Sequence, residues 1–298
     1  MHRPVLTAWL VLLPGLLPFS AAALDGRIYY EGSKPGSPSQ QGLVFLTQPF
    51  VGAGAVQGAT NGGWSLDSRP RMASQAGWFS RLPFNSPDGE PAMDRAAGFQ
   101  VSFILQLVAE EHASTDRAGF SVIALASDTW GIELGFWTNA VWAQSGPDFQ
   151  RAEEAAFDTT AAPQRYDVAI RGDRYALHAG GRPVLEGPLR NYASFGVPYN
   201  APRFVFVGDD TSSASAKFTL GRVAAWTLPR LAIAAGAQSS QVTLLTDAEP
   251  GRPWVIEHTG DFGGWTMLEL FTVPTNRFTT GDAVVPAPLK AYRLRAGD

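Results

Sequence analysis

The stretch GIELGFWTNAVWAQ, residues 131–144, sets one carboxylate, Glu133, and two indoles, Trp137 and Trp142, among small and apolar residues. Side chains alternate along an extended backbone, so Glu133, Gly135 and Trp137 share one face of a strand. Beyond a turn at Thr138–Asn139, Trp142 and Gln144 share one face of the next. An indole plane with hydrogen-bonding neighbours can hold the apolar face of a sugar ring while bonding its hydroxyls. Glu133, Trp137, Trp142 and Gln144 are therefore the candidate ligand-binding residues. The competing reading is packing, with the indoles in a core and Glu133 paired to Arg117 or Arg165.

Other chemistries find less support. A nucleophilic triad needs a Ser or Cys beside a His and a carboxylate. The chain past residue 23 has three histidines, His112, His178 and His258, no cysteine and no Gly-x-Ser-x-Gly elbow. The same histidines lie too far apart in sequence to suggest zinc.

Strands must position these residues. FQVSFILQLVAEE places Phe99, Val101, Phe103, Leu105 and Leu107 on one face, and GFSVIALAS is apolar on both faces, as an interior strand is. GIELGFW and AVWAQ follow. RYDVAIR, RYALHA and RPVLEG then form a meander with turns at Gly172–Asp173 and Gly180–Gly181. APRFVFVGDD and AKFTLGRVAAWTL supply two more strands. Residues 24–98 read as loop-rich with a single convincing strand at Leu43–Thr47, RMASQAGWF reads as one helical turn or more, and QRAEEAAF is the one helix-like piece. At least nine strands with little helix predict a two-sheet sandwich or jelly roll. After Pro229, QVTLLT, PWVIEHT, TMLELF and AYRLR predict a small immunoglobulin-like β-sandwich.

The expected boundaries are a signal peptide at 1–23, a sandwich domain at 24–228 and a C-terminal domain at 229–298. A short basic start, an apolar run from Pro4 to Phe19 and the small residues up to Ala23 make the first segment a secretory signal. Export, extracellular or periplasmic, follows, with no membrane span after cleavage. The net charge of −4 and the absence of a basic stripe argue against nucleic acid. With no cysteine, burial and backbone hydrogen bonds must hold the fold.

In order, FQVSFILQL, DRAGFSVIALASD, GIELGFWTNAVWAQ, the 165–187 meander, FVFVGDD and FTLGRVAAW resemble the strand succession of concanavalin A-like lectin/glucanase domains. More narrowly, NGGWSLDS with ASQAGWFS, DRAAGFQVSFILQL and GDDTSS resemble exported bacterial choice-of-anchor domains, over about residues 40–227. The tail, PWVIEHTGDFGGWTMLELF, is similar to small C-terminal modules with a core tryptophan, here Trp265, and a last strand bearing Tyr292 and Leu294. The lack of a sorting sequence near Asp298 suggests a released protein.

That resemblance implies an all-β, concanavalin A-like jelly-roll fold. The hydrolases of such families carry two carboxylates on alternate residues of one strand. Here Glu133 stands alone between glycines at 131 and 135, and the Glu-x-Asp-x-x-Glu spacing is missing. The resemblance also implies a calcium ion (Ca2+), for which Asp209 and Asp210, with Asp128 and Asp88, are the candidate oxygen donors; the alternative is that Asp209 and Asp210 cap a turn. The expected function is glycan binding by a secreted, non-catalytic lectin-like protein. A structural or adhesive surface protein and a polysaccharide-acting enzyme are the alternatives.

Overall fold

The computed structural model describes residues 25–48, 54–71, 74–83, 89–146, 148–235, 241–247, 249–259, 264–272, 277–283 and 291–296. The expected signal peptide and Asp88 lie outside them. The chain divides into two compact units, one spanning Gly26–Thr227 and the other holding the strands from residue 230 onward.

The first unit contains β1 (Gly26–Glu31), β2 (Val44–Gln48), β3 (Val56–Thr60), β4 (Gly63–Asp67), β5 (Gln75–Phe79), β6 (Phe99–His112), β7 (Ser121–Leu125) and β8 (Trp130–Phe136). It continues with β9 (Ala140–Gln144), β10 (Arg151–Ala156), β11 (Gln164–Arg171), β12 (Arg174–Ala179), β13 (Arg182–Pro188), β14 (Arg190–Asn191), β15 (Phe204–Asp209) and β16 (Ala214–Thr227). All pair antiparallel in two sheets. The back sheet runs β13-β12-β11-β6-β16-β4-β3, with β1 also on β16; the front sheet runs β10-β9-β8-β7-β15-β5-β2, with β14 added to β8. This is the expected all-β jelly-roll sandwich of two antiparallel sheets.

Period-two patterning builds the core between the sheets. Phe99, Val101, Phe103, Leu105 and Leu107 of β6 are fully buried and face Ile132, Leu134 and Phe136 of β8 within one cluster. Phe103 stacks on Tyr166 of its own sheet at 5.3 Å and meets Phe136 of the other edge-on at 5.8 Å. Each such side chain contributes roughly 1.5–3 kcal/mol of burial free energy.

Three local expectations are corrected. Residues 24–98 hold five strands rather than one, because polar, Gly-containing segments such as VQGAT pair as exposed edge strands. The RMASQAGWF stretch ends a 3-10 turn, Arg69–Arg71, and enters β5. QRAEEAAF is not helical: it forms β10, whose alternating half-buried and exposed residues suit the sheet edge, so tertiary pairing overrides its helix propensity.

The second unit contains β17 (Arg230–Ala235), β18 (Gln241–Asp247), β19 (Pro253–Thr259), β20 (Thr266–Thr272), β21 (Arg277–Ala283) and β22 (Ala291–Ala296). They form sheets β17-β18-β21 and β20-β19-β22 around a core of Val242, Leu244, Trp254, Ile256, Phe271, Tyr292 and Leu294. Trp254 takes the central position that the sequence suggested for Trp265, which is half-buried beneath the Arg293 guanidinium at 4.2 Å.

Candidate functional site

The site is the outer face of the front sheet where β8, β9 and β10 meet. Ile132, Leu134 and Phe136 point into the core, so Gly131, Glu133 and Gly135 point outward. On β9, Val141 and Ala143 point inward and Trp142 and Gln144 outward. The fold therefore brings the four predicted residues onto one patch.

It does not leave them as an open floor. Glu133, Trp142 and Gln144 are 0% exposed and Trp137 is half-buried. Segment 189–203, a strap between β13 and β15, crosses the sheet and lays Tyr192, Tyr199 and Ala201 on Ile123, Leu125, Phe204 and Phe206. The hydroxyl of Tyr192 accepts the N–H of Glu133 at 3.4 Å and donates to the carbonyl of Gln144 at 2.7 Å. Sequence patterning could not foresee this cover, because the strap is irregular backbone with only a two-residue strand and a single 3-10 turn.

Glu133 has the arginine partner that the packing reading allowed. Arg117 Nη1 lies 3.3 Å from Glu133 Oε1 and Arg117 Nη2 lies 3.2 Å from Asp210 Oδ1. Tyr199 donates to Glu133 Oε2 at 2.6 Å and approaches Asp210 Oδ2 at 3.4 Å. Burial, and then the charge of Asp210, push the Glu133 carboxyl up to about 8 against the opposing pull of Arg117 and the Tyr199 hydrogen bond. Burial opposes the Arg117 charge, but Asp210 and Glu133 together outweigh it and hold the guanidinium protonated. Burial also raises Tyr199 well above the ordinary tyrosine value.

The indoles are packed on both sides. His112 stacks on Trp137 with centroids 3.8 Å apart and planes 13° apart, and the Arg151 guanidinium sits 3.6 Å from the same centroid. Two groups so close to one ring must occupy opposite faces. Arg151 also lies 3.9 Å over Trp142, whose ring rests on Gly135: a Cβ there would meet Trp142 Cζ2 at 2.7 Å. Gly135 is thus required by the indole. Arg151 and His112 are the residues that sequence reasoning missed; only the alternation of β10 could have aimed Arg151 at Gln144, its register partner.

Part of this patch has no protein partner. Trp142 Nε1, Gln144 Oε1, and Arg151 Nε and Nη2 are buried and make no hydrogen bond among the described residues. Glu133 Oε1 and Asp210 Oδ1 contact Arg117 at ion-pair distance but without hydrogen-bond geometry. Gln144 Nε2, by contrast, donates to the Asp116 carbonyl at 2.7 Å, and Arg151 Nη1 donates to Glu154 at 3.0 Å.

The residues expected to hold calcium are divided among different partners. Asp209 and Asp210 leave the end of β15 on opposite sides: Asp209 turns inward, where its Oδ1 accepts the Thr211 N–H at 3.1 Å, and Asp210 turns outward to Arg117. Burial raises Asp209 well above the usual carboxylate range, which favours its neutral form. Arg117 supplies the positive charge beside Asp210, and Asp128 is paired with Arg95 at 2.7 Å. Among the described residues no group of three or more His, Cys, Asp or Glu could hold a metal.

One row of triad-type residues lacks the order that a serine nucleophile needs. Ser102, Asp167 and His178 share a row across β6, β11 and β12, but Asp167 stands in the middle. Ser102 donates to it at 2.6 Å, so the imidazole is two strands away from the hydroxyl it would have to activate.

No protein-family model matches the chain, and no curated protein matches it in sequence. Among solved structures it is similar to the conserved carbohydrate esterase of the Shiga toxin-encoding bacteriophage phi24B, at 12% identity, a TM-score of 0.46, and coverage of 67% of this chain and 96% of that one. It is similar to a Bacillus subtilis protein of unknown function with a galectin-like fold, at 9% identity, a TM-score of 0.43 and coverage of 68% and 97%. The Ca2+-bound exoplasmic/lumenal domain of VIP36 follows at 8% identity, a TM-score of 0.40 and coverage of 67% and 90%.

Proposed function

We propose that this chain is an exported, non-catalytic lectin-like protein that binds glycan on the outer face of the front sheet, at Glu133, Trp137, Trp142 and Gln144. One observation carries the reading: buried donors on Trp142 and Arg151 and a buried acceptor on Gln144, all without protein partners, lie together beside two indoles. Buried polar atoms are almost always paired, so a cluster of exceptions calls for a partner from outside the chain or for water. A polyhydroxylated ring offers donors, acceptors and an apolar face at once. The test is retention on polysaccharide affinity gels. Trp137→Ala and Arg151→Met should lose retention, while Trp130→Ala, which alters an exposed indole elsewhere, should keep it. Equal retention by all three folded variants and the wild type would remove the proposal.

Catalysis is the second reading, favoured by one finding. The fold sets Asp210 beside Glu133, a carboxylate pair that strand spacing does not disclose, and Glu133 keeps its proton at neutral pH as a general acid does. Against it, Glu133 is 0% exposed and held by Arg117 and Tyr199, so it touches no substrate while the strap is closed. Turnover of a polysaccharide by the wild type and its loss in Glu133→Gln would establish this reading over the first.

A further inference from the structure

Resting on the glycan-binding reading, we propose that the 189–203 strap is a lid over that site, latched by the Tyr199 hydroxyl to the Glu133–Arg117–Asp210 cluster, and that the lid lifts to admit ligand. The strap's backbone attachment to the sheet is slight. Its only strand, β14, pairs with β8 through two residues, Arg190 opposite Gly131 and Asn191 opposite Trp130; the Leu189 N–H bonds the Asp173 carbonyl of the β11–β12 turn at its near end, and the Arg203 N–H bonds the Ala126 carbonyl at its far end. Between these anchors side chains do the holding.

Besides the packing of Tyr192, Tyr199 and Ala201 on the sheet, the two bonds of the Tyr192 hydroxyl and the Arg190–Glu153 ion pair, two groups of contacts hold the strap. The first is the aromatic contact with Phe149 of the β9–β10 loop, which meets Tyr192, Phe195 and Tyr199 at 6.3, 4.3 and 5.4 Å. Phe149 itself has φ of +49°, a left-handed conformation that costs a bulky residue on the order of 1–2 kcal/mol. Strain of this kind persists only where surrounding contacts enforce it, and it concentrates at clamps and switch regions. The second group is the polar latch, in which Tyr199 alone bridges the strap to the buried carboxylates. At the outer surface the strap exposes Phe195 at 38% and Val197 at 61%.

The face beneath is not what a permanent cover would leave. A strap serving only as core would close over apolar or fully bonded groups, yet Glu133 Oε1, on the carboxyl that Tyr199 bonds, and Gln144 Oε1, on the residue whose carbonyl Tyr192 bonds, make no hydrogen bond among the described residues. The groups facing Glu133 are Arg117 from the β6–β7 loop, Asp210 beyond β15, Tyr192 and Tyr199 from the strap, and uncharged Gln144 from β9. A single cation serves two carboxyls. Loss of the Glu133 proton, which burial delays to about pH 8, leaves a buried anion beside Asp210 and so favours the lifted strap, where the carboxylate meets water, against the Tyr199 hydrogen bond that favours the ion in place.

Amide hydrogen exchange on the ligand-free chain tests the lid without reference to any sugar. The reporters are the strap amides and the Glu133 amide, whose acceptor is the strap's Tyr192 hydroxyl; β6 amides are the reference. Protection of the reporters should fall at least about tenfold in Tyr199→Phe, and in the wild type taken from about pH 6 to about pH 9.5, with β6 unchanged. If Tyr199→Phe does not fold, the wild-type pair decides. Unchanged protection overturns the lid, even where the protein is retained on glycan gels. A fall in protection without retention on any gel upholds the lid and removes the glycan reading.

Discussion

Replacing Glu133 with Gln should remove a pH dependence of stability that the wild type must show. The Glu133 carboxyl is fully buried, and burial with the nearby Asp210 charge raises it from the ordinary 4.5 to about 8. The folded state therefore binds a proton that the unfolded chain releases between these values. Stability is linked to the protons bound in each state, so it is highest below about pH 4.5, falls by about 1.4 kcal/mol per pH unit up to about pH 8, and is level beyond. Over a span of about 3.5 pH units the loss comes to about 5 kcal/mol, an upper figure because Asp210 titrates in concert with Glu133. Glutamine keeps the shape and the acceptor for Tyr199 but carries no proton to lose. Chemical denaturation of both proteins at about pH 5, 7 and 9 should show Glu133→Gln gaining several kcal/mol on the wild type across the series. Parallel stability profiles would refute the claim that a protonated Glu133 is buried in the fold.

Other substitutions probe separate parts of the account. Gly135→Ala drives a methyl to within 2.7 Å of Trp142 Cζ2 and should cost about 1–3 kcal/mol with a shift in tryptophan fluorescence. Phe103→Ala empties a position touching Phe120, Phe136 and Tyr166 and should cost about 3–5 kcal/mol in urea denaturation. Arg117→Met leaves the buried Glu133 carboxyl and the half-buried Asp210 without their cation and should cost about 3–5 kcal/mol, more above pH 8 than below it. Arg151→Met keeps an apolar group over both indoles, so stability should change by less than about 1.5 kcal/mol while glycan retention is lost.

The elements that alternate cleanly were legible in the sequence. β6, β8, β9 and the β11–β13 meander each show period two, the meander with glycine at its turns, and their inward and outward faces follow from that alone. Edge strands were not, since β3 and β10 bury too little to carry an apolar signal. The site was half legible. Register places Glu133, Trp142 and Gln144 on one face, but whether that face meets water depends on a strap 45 to 70 residues away in sequence. Asp210 and Tyr199 reach Glu133 across 77 and 66 positions, and no local pattern encodes such a meeting.

The most direct measurement is a titration of the labelled protein with a gel-retained oligosaccharide, followed by the indole N–H resonances. Trp142 Nε1 is a buried donor with no acceptor among the described residues, so ligand should shift its resonance, and that of Trp137 beside it, while Trp130 stays in place. Binding that moves Trp130 alone, or leaves every indole unmoved, would contradict the account.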